Sequence, residues 1–76
     1  MKQIQEFFIN IDRADINENT KNLVSDDIID SIDIMALVAE IEKYYKIPID
    51  MDLISPENFE DFESIKKMIQ EVLENS

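Results

Sequence analysis

Cysteine, histidine, glycine and tryptophan are all missing from this sequence of 76 residues. Without cysteine the chain has no disulfide and no thiol nucleophile of its own. Without cysteine and histidine it also lacks the usual zinc ligands and the side chain that most often acts as a base at neutral pH. Most catalytic machinery is therefore excluded, and we expect neither enzyme activity nor a metal site.

Positive charge is scarce, since 7 Lys and Arg stand against 18 Asp and Glu, for a formal net charge of −11. Such a surface repels nucleic-acid phosphates and anionic lipids and is complementary to a basic partner. The same charge could equally serve only solubility. No apolar run approaches the roughly 20 residues of a membrane span, and the start at Met1 lacks the pattern of a signal peptide. We expect a cytoplasmic monomer with no nucleic acid bound and no membrane insertion.

Apolar residues nevertheless make up 45% of the chain, more than acidic disordered chains usually contain. The length fits one domain, near the lower limit for a core without disulfides or metal. We predict a single domain, residues 1–76, with a modest core.

Three stretches have the spacing of amphipathic helices. Helix I is predicted over about 2–13, helix II over 31–45, and the last helix over 62–73 with Asp61 as its cap. The predicted core faces are Ile4, Phe7, Phe8 and Ile11 in helix I, Ile34, Leu37, Val38, Ile41 and Tyr45 in helix II, and Phe62, Ile65, Met68, Ile69, Val72 and Leu73 in the last helix.

The connections complete the predicted fold. Residues 14–30 are rich in Asp and Asn and predict a long loop, pinned to the core by Leu23, Val24 and Ile28 or Ile29. Residues 55–60 predict a short helix III, because Ser55 can cap it and proline favours the first helical position. The result is an all-α fold, a small antiparallel four-helix bundle with three longer helices and one short one.

The start of predicted helix II places a hydroxyl among carboxylates, in Asp30-Ser31-Ile32-Asp33. Ser31 could simply be the helix N-cap. Asp30 can cap equally well, and it would put Asp33 at the third helical position, where a carboxylate suits the helix dipole. Ser31 would then have an exposed hydroxyl without a structural task, and the local sequence leaves both interpretations open.

Predicted helix II has a second apolar stripe beside its core face. Its members follow the i, i+3, i+4, i+7 spacing of one helical face: Ile32, Met35, Ala36 and Ala39. Acidic residues flank the stripe: Asp33, Glu40 and Glu42. Either the helix is buried on two faces, or the stripe is an interaction patch with an acidic rim, for which the flexible Met35 is well suited.

Residues 29–42, together with Tyr44-Tyr45-Lys46-Ile47-Pro48-Ile49, resemble acyl carrier proteins. The hallmark of these carriers is Asp-Ser-Leu at the start of helix II, then an acidic amphipathic helix, an aromatic residue and an Ile-Pro turn. Residues 30–32 occupy the hallmark position, with Ile32 in place of leucine and without the glycine that usually precedes the motif. Residues 55–59 look like a segment of free-standing carriers related to nonribosomal peptide and aminoacyl carriers.

The resemblance implies a carrier that does no chemistry itself. A phosphopantetheinyl transferase would use coenzyme A and Mg²⁺ to attach 4'-phosphopantetheine to Ser31, making a phosphoprotein whose arm holds acyl or aminoacyl groups as thioesters. Asp30, Ile32 and Asp33 would flank the attachment point, and the carboxylates would guide it. Loading and condensing enzymes with basic docking surfaces, in lipid or secondary-metabolite biosynthesis, would contact Ile32, Met35, Ala36, Ala39 and Glu42.

Two alternatives share parts of this pattern. An unmodified acidic helical adaptor that binds a basic protein through helix II predicts the same charge and the same stripe. Residues 15–26 also copy part of a calcium loop, but Thr20 stands where glycine is needed and Asp26 where glutamate is usual. We therefore expect a solvated polar loop there.

Overall fold

The computed structural model describes residues 2–75, which contain helices and no strand. The three α-helices are α1 (Lys2–Asn10), α2 (Ser31–Tyr45) and α3 (Phe62–Glu74). Two 3-10 helices, Met51–Leu53 and Pro56–Phe59, lie between α2 and α3. The all-helical class is confirmed, and the three α-helices match predicted helices I and II and the predicted last helix. None of the helices within residues 2–75 is long and apolar enough to cross a bilayer.

The short helix III differs from its prediction. The segment forms a 3-10 helix of 4 residues, and the Ser55 side chain makes no capping hydrogen bond. Its single turn is closed by the Asn58 N–H, which donates to the Ser55 carbonyl at 3.0 Å. The element cannot lengthen, because Asp61 already takes the extended backbone of the α3 N-cap. The fourth helix is thus a 3-10 turn.

Helix α1 ends at Asn10, three residues before the predicted end. The backbone reverses through Asp12, which has a left-handed φ of 64°. The Asp12 N–H donates to the Ile9 carbonyl and the Arg13 N–H to the Phe8 carbonyl, at 3.1 and 2.8 Å. This is the Schellman pattern, which usually places glycine at the left-handed position. Aspartate takes that place in this glycine-free chain.

The core joins the three α-helices, the long loop and the second 3-10 helix. Phe8 of α1 stacks on Phe62 of α3 with ring centroids 5.2 Å apart. The buried side chains are Ile4, Phe7, Phe8, Ile16, Leu23, Ile29, Leu37, Val38, Ile41, Ile49, Phe59, Phe62, Ile65, Met68, Ile69 and Val72. Of the predicted core, Ile11, Ile34 and Tyr45 are partly buried and Leu73 is 40% exposed. Leu23 and Ile29 are buried and pin the loop, as predicted, while Val24 and Ile28 pack at the edge.

Candidate functional site

The start of α2 is held by a reciprocal capping box. The Asp30 Oδ1 accepts a hydrogen bond from the Asp33 N–H at 3.0 Å, and the Asp33 Oδ2 accepts one from the Asp30 N–H at 3.3 Å. Two backbone donors that the helix leaves unpaired at its N-terminus are thereby satisfied by side chains. The N-cap is therefore Asp30, which resolves the alternative that the sequence left open.

Ser31 is the first residue of α2, and its side chain is exposed. Its hydroxyl forms no hydrogen bond with any group in residues 2–75. Because Asp30 already fills the cap, the hydroxyl has no role in holding the helix. It faces solvent at the N-terminal end of α2, where free backbone N–H groups and the helix dipole favour an anion.

Arg13, directly after the turn that ends α1, lies beside the capping box. Its Nη1 contacts the Asp33 Oδ2 at 3.2 Å, while Nε and Nη2 contact the two carboxylate oxygens of Asp15 at 3.2 and 3.3 Å. The hydrogen bond to Asp15 raises the pKa of Arg13, and the charges of Asp15, Asp33 and Asp30 raise it further. The same bond lowers the pKa of the Asp15 carboxyl.

Glu60, just before α3, anchors the loop that leads into the site. Its Oε1 accepts from the N–H groups of Val24 and Ser25 at 2.9 and 3.0 Å, and its Oε2 accepts from the Ser25 hydroxyl. The Glu60 carbonyl accepts from the Leu23 N–H at 2.8 Å. The hydrogen bonds from Ser25 lower the pKa of the Glu60 carboxyl, with a smaller contribution from Val24.

The turn before Asp30 works without the glycine that carriers usually have there. Asn22 and Asp27 take left-handed φ values of 54° and 56°, which are tolerated by these residue types better than by most. The N–H groups of Ile28 and Ile29 both donate to the Leu23 carbonyl at 2.9 Å. The turn before Asp30 thus forms without glycine, with Asn22 and Asp27 in its left-handed positions.

The second stripe of α2 is largely uncovered. Ile32 is 77% exposed and Met35 is 55% exposed. Ala39 is also exposed, and Ala36 is half-buried. Burial of the helix on two faces is therefore excluded at Ile32 and Met35.

Glu42 lies further along α2 and is half-buried. Its Oε2 accepts a hydrogen bond from the Ile49 N–H at 2.7 Å, which fastens the chain after Pro48 to the helix. One oxygen of this predicted partner-contact residue is therefore engaged within the chain.

The calcium-like loop is closed on itself. The Asn17 Oδ1 accepts from the Asn19 N–H at 2.8 Å, and the Asn17 N–H donates to the Thr20 hydroxyl oxygen at 3.1 Å. Within residues 2–75 no group of three or more His, Cys, Asp or Glu side chains is arranged to hold a metal ion.

Two surface grooves lie away from Ser31. The larger has a volume of about 650 Å³ and is lined by residues after α2 and at the end of α3, among them Ile47, Leu53 and Val72. The smaller, about 250 Å³, lies between the start of α1, Tyr45 and α3. Neither groove is lined by any residue of the capping box.

Arg13 and Glu60 are the site residues that the sequence analysis missed. Arg13 is the only arginine of the chain, and that scarcity was the one available signal. Arg13 lies near Asp33 because the chain turns at Asp12, and the sequence has no glycine there that would predict this turn. No sequence pattern indicated a role for Glu60, because its hydrogen-bond partners lie in a loop that is far from it in the sequence.

A family model described as "Phosphopantetheine attachment site" matches residues 3–72 of the chain. The match spans nearly all of α1 and α3 and includes the site at the start of α2. No curated protein and no solved structure gives a match.

Proposed function

We propose, since this chain belongs to the family of phosphopantetheine attachment domains, that Ser31 is the residue to which the 4'-phosphopantetheine arm is attached. Domains of this family carry the arm covalently and are not catalysts themselves. The arm supplies a thiol, which this cysteine-free chain lacks, and the thiol carries acyl or aminoacyl groups as thioesters. One observation carries the assignment: the Ser31 hydroxyl is exposed and unengaged, because Asp30 does the capping.

The other serines within residues 2–75 fit attachment less well. Ser25 is exposed, but its hydroxyl donates to Glu60. Ser55 is half-buried. Ser64 is half-buried at the start of α3, and its side chain is hydrogen-bonded to Asp61. Ser31 is thus the one described serine that is both exposed and free of hydrogen bonds.

The residues around Ser31 suit a transfer of this kind. The Ser31 oxygen would bond to the phosphorus that bears the arm, and its proton would pass to a base of the transferase or to water. The pyrophosphate bond of coenzyme A would break, so that the nucleotide part leaves with the other phosphate. Asp30 and Asp33 fix the helix start through the capping box, so the backbone that carries the hydroxyl is held in place. The phosphodiester would then lie at the N-terminus of α2, whose dipole favours a negative group.

The uncovered stripe of α2 is the proposed docking surface for the partner enzymes. It begins next to the attachment point, and its proposed contact residues are Ile32, Met35, Ala36, Ala39 and Glu42. An apolar centre with acidic surroundings suits a partner surface with an apolar pocket and a basic rim. The net charge of −11 would speed the encounter without tight binding, as a carrier that visits several enzymes requires. We place the chain in cytoplasmic lipid or secondary-metabolite biosynthesis.

The attachment is tested by intact-mass measurement. The unmodified chain, Ser31→Ala and Ser25→Ala are each incubated with coenzyme A, Mg²⁺ and a transferase of broad specificity. We expect the parent chain and Ser25→Ala to gain the mass of one arm and Ser31→Ala to gain none. Ser25→Ala is the matched control, because it removes an exposed serine from the same region.

Two results would contradict the proposal. If the parent chain gains no mass with any of several transferases, this chain does not carry an arm. If Ser31→Ala still gains the full mass, the arm is attached at another residue.

A further inference from the structure

We propose that Arg13 is a positioning residue that keeps the start of α2 in place after modification, by offsetting the negative charge that the phosphodiester brings to an acidic turn. The inference rests on the proposed attachment at Ser31. It assigns a task to a side chain outside the sequence motif and outside α2.

The geometry centres on one shared oxygen. The Asp33 Oδ2 accepts from the Arg13 Nη1 at 3.2 Å and from the Asp30 N–H at 3.3 Å. One carboxylate oxygen therefore links the guanidinium to the backbone N–H of Asp30, the residue that immediately precedes Ser31. A change of charge on Ser31 would therefore occur on the residue next to this hydrogen-bonded pair in the chain.

The guanidinium is fixed in place from two directions. The Schellman turn at Asp12 fixes the Arg13 backbone, since the Arg13 N–H donates to the Phe8 carbonyl. The two oxygens of Asp15 then hold Nε and Nη2 of the side chain. The side chains of Arg13 and Asp33 are each only 25% exposed, so their pairing is less screened than that of a fully exposed pair.

The excess of negative charge at this turn explains why a cation would stabilise it after modification. The hydrogen bond to Asp15 is the main cause that raises the pKa of Arg13, and the negative charges of Asp15, Asp33 and Asp30 raise it further. Within residues 2–75, the ion pairs found are those of Arg13 with Asp15 and Asp33. A phosphodiester on Ser31 adds another negative charge beside Asp30, and Arg13 is the positive group already bonded to that turn.

The test compares the effect of modification in matched variants. Arg13→Gln removes the cation at the turn, and Lys66→Gln makes the same change of net charge on the exposed face of α3. Thermal midpoints are measured for the unmodified and modified forms of both variants and of the parent. We expect modification to lower the midpoint of Arg13→Gln by roughly 3–6 °C more than it lowers that of the parent or Lys66→Gln. High salt should shrink this excess.

Arg13→Lys separates charge from geometry, since it keeps the cation and loses the fork of donors. Its response to modification should be close to that of the parent. A purely structural role would lower the midpoints of both forms of Arg13→Gln equally, and that result would overturn the inference. An Arg13→Lys response as large as that of Arg13→Gln would also overturn it.

A second measurement needs no variant. Because Arg13 is the only arginine, its Nε–H gives a single arginine side-chain signal in an NMR spectrum. We expect that signal to shift when the parent chain is modified, and an unchanged signal would count against the inference. Intact mass is recorded first: absence of a mass gain refutes the attachment itself, whereas a modified protein with an unresponsive Arg13 refutes only the positioning role.

Discussion

At the scale of single residues, Lys46 has the least favourable backbone conformation for its residue type. It follows α2 with a left-handed φ of 58°, and its N–H donates to the Glu42 carbonyl at 2.8 Å. Glycine is the usual residue here, because a Cβ in the left-handed region costs about 1–2 kcal/mol. The other left-handed residues are Asp or Asn, which tolerate this region better.

Lys46→Gly should therefore stabilise the protein. Glycine removes the energetic cost of the left-handed conformation, and this gain exceeds the entropy cost of glycine's greater flexibility in the unfolded chain. We therefore expect a gain of about 0.5–1 kcal/mol in unfolding free energy. Urea unfolding measures it. The control is Lys43→Gly inside α2, which should lose about 1 kcal/mol. A loss at position 46 would show that the lysine side chain stabilises the helix end.

Ser31 shows what the local sequence can and cannot predict. The sequence contains two residues that can cap α2, Asp30 and Ser31, and it does not show which of them does so. The reciprocal hydrogen bonds of Asp30 and Asp33 decide the matter. The helical spacing likewise placed Ile32 on a second stripe without showing whether that stripe is buried, and its 77% exposure in the structure decides this.

At the scale of elements, prediction succeeded where apolar periodicity was long and failed where a left-handed residue decided the boundary. The starts and ends of α2 and α3 are close to those predicted. The predicted end of α1 was wrong by three residues, because an aspartate at position 12 does not indicate a turn as a glycine would. The length of the 3-10 helix before α3 was not predictable from its own residues, because it is limited by Asp61, which caps the next helix.

The loop before α2 depends on the charge of Glu60. The pKa of Glu60 is lowered in the folded protein, mainly by the hydrogen bonds from Ser25. A lowered pKa means that this stabilisation is present above the unfolded value, 4.5, and is lost as pH falls through the folded value. The stability of the parent protein should therefore decline on acidification below about pH 5.

Glu60→Gln should make that decline shallower, because glutamine has no proton to take up. It should also lower stability at pH 7, since its amide nitrogen cannot accept from the Ser25 hydroxyl. Denaturant unfolding at several pH values from 7 to about 3 measures both effects. Glu57→Gln, on the exposed side of the second 3-10 helix, serves as the control. An unchanged pH slope in Glu60→Gln would show that other carboxylates dominate.

At the scale of the whole molecule, the dominant quantity is charge density. A net charge of −11 is confined to a body with a radius of gyration of 11.2 Å. The Debye length at 0.1 M salt is about 10 Å, comparable with that radius. Repulsion among the carboxylates therefore acts across the entire protein at low salt and is screened at moderate salt.

Raising NaCl from about 0.01 to 0.5 M should raise the thermal midpoint by several degrees, since screening relieves repulsion in the compact state. Scanning calorimetry gives the midpoint, and KCl should act equally, because the effect is one of ionic strength. The double variant Glu71→Gln, Glu74→Gln, which removes two negative charges from the end of α3, should respond less. A midpoint that falls with salt would mean that attractive pairs such as Arg13–Asp33 outweigh the repulsion.

Leu23 joins the loop to the rest of the molecule. Its side chain is buried, its N–H donates to the Glu60 carbonyl, and its own carbonyl accepts from Ile28 and Ile29. Opening the turn before Ser31 while the bundle stays folded would expose the Leu23 side chain and break its hydrogen bonds to Glu60, Ile28 and Ile29. We therefore expect this turn, although it has no regular secondary structure, to open less readily than an ordinary surface loop. The amides of Leu23, Ile28 and Ile29 should exchange with solvent more slowly than the amides of the exposed loop residues before them.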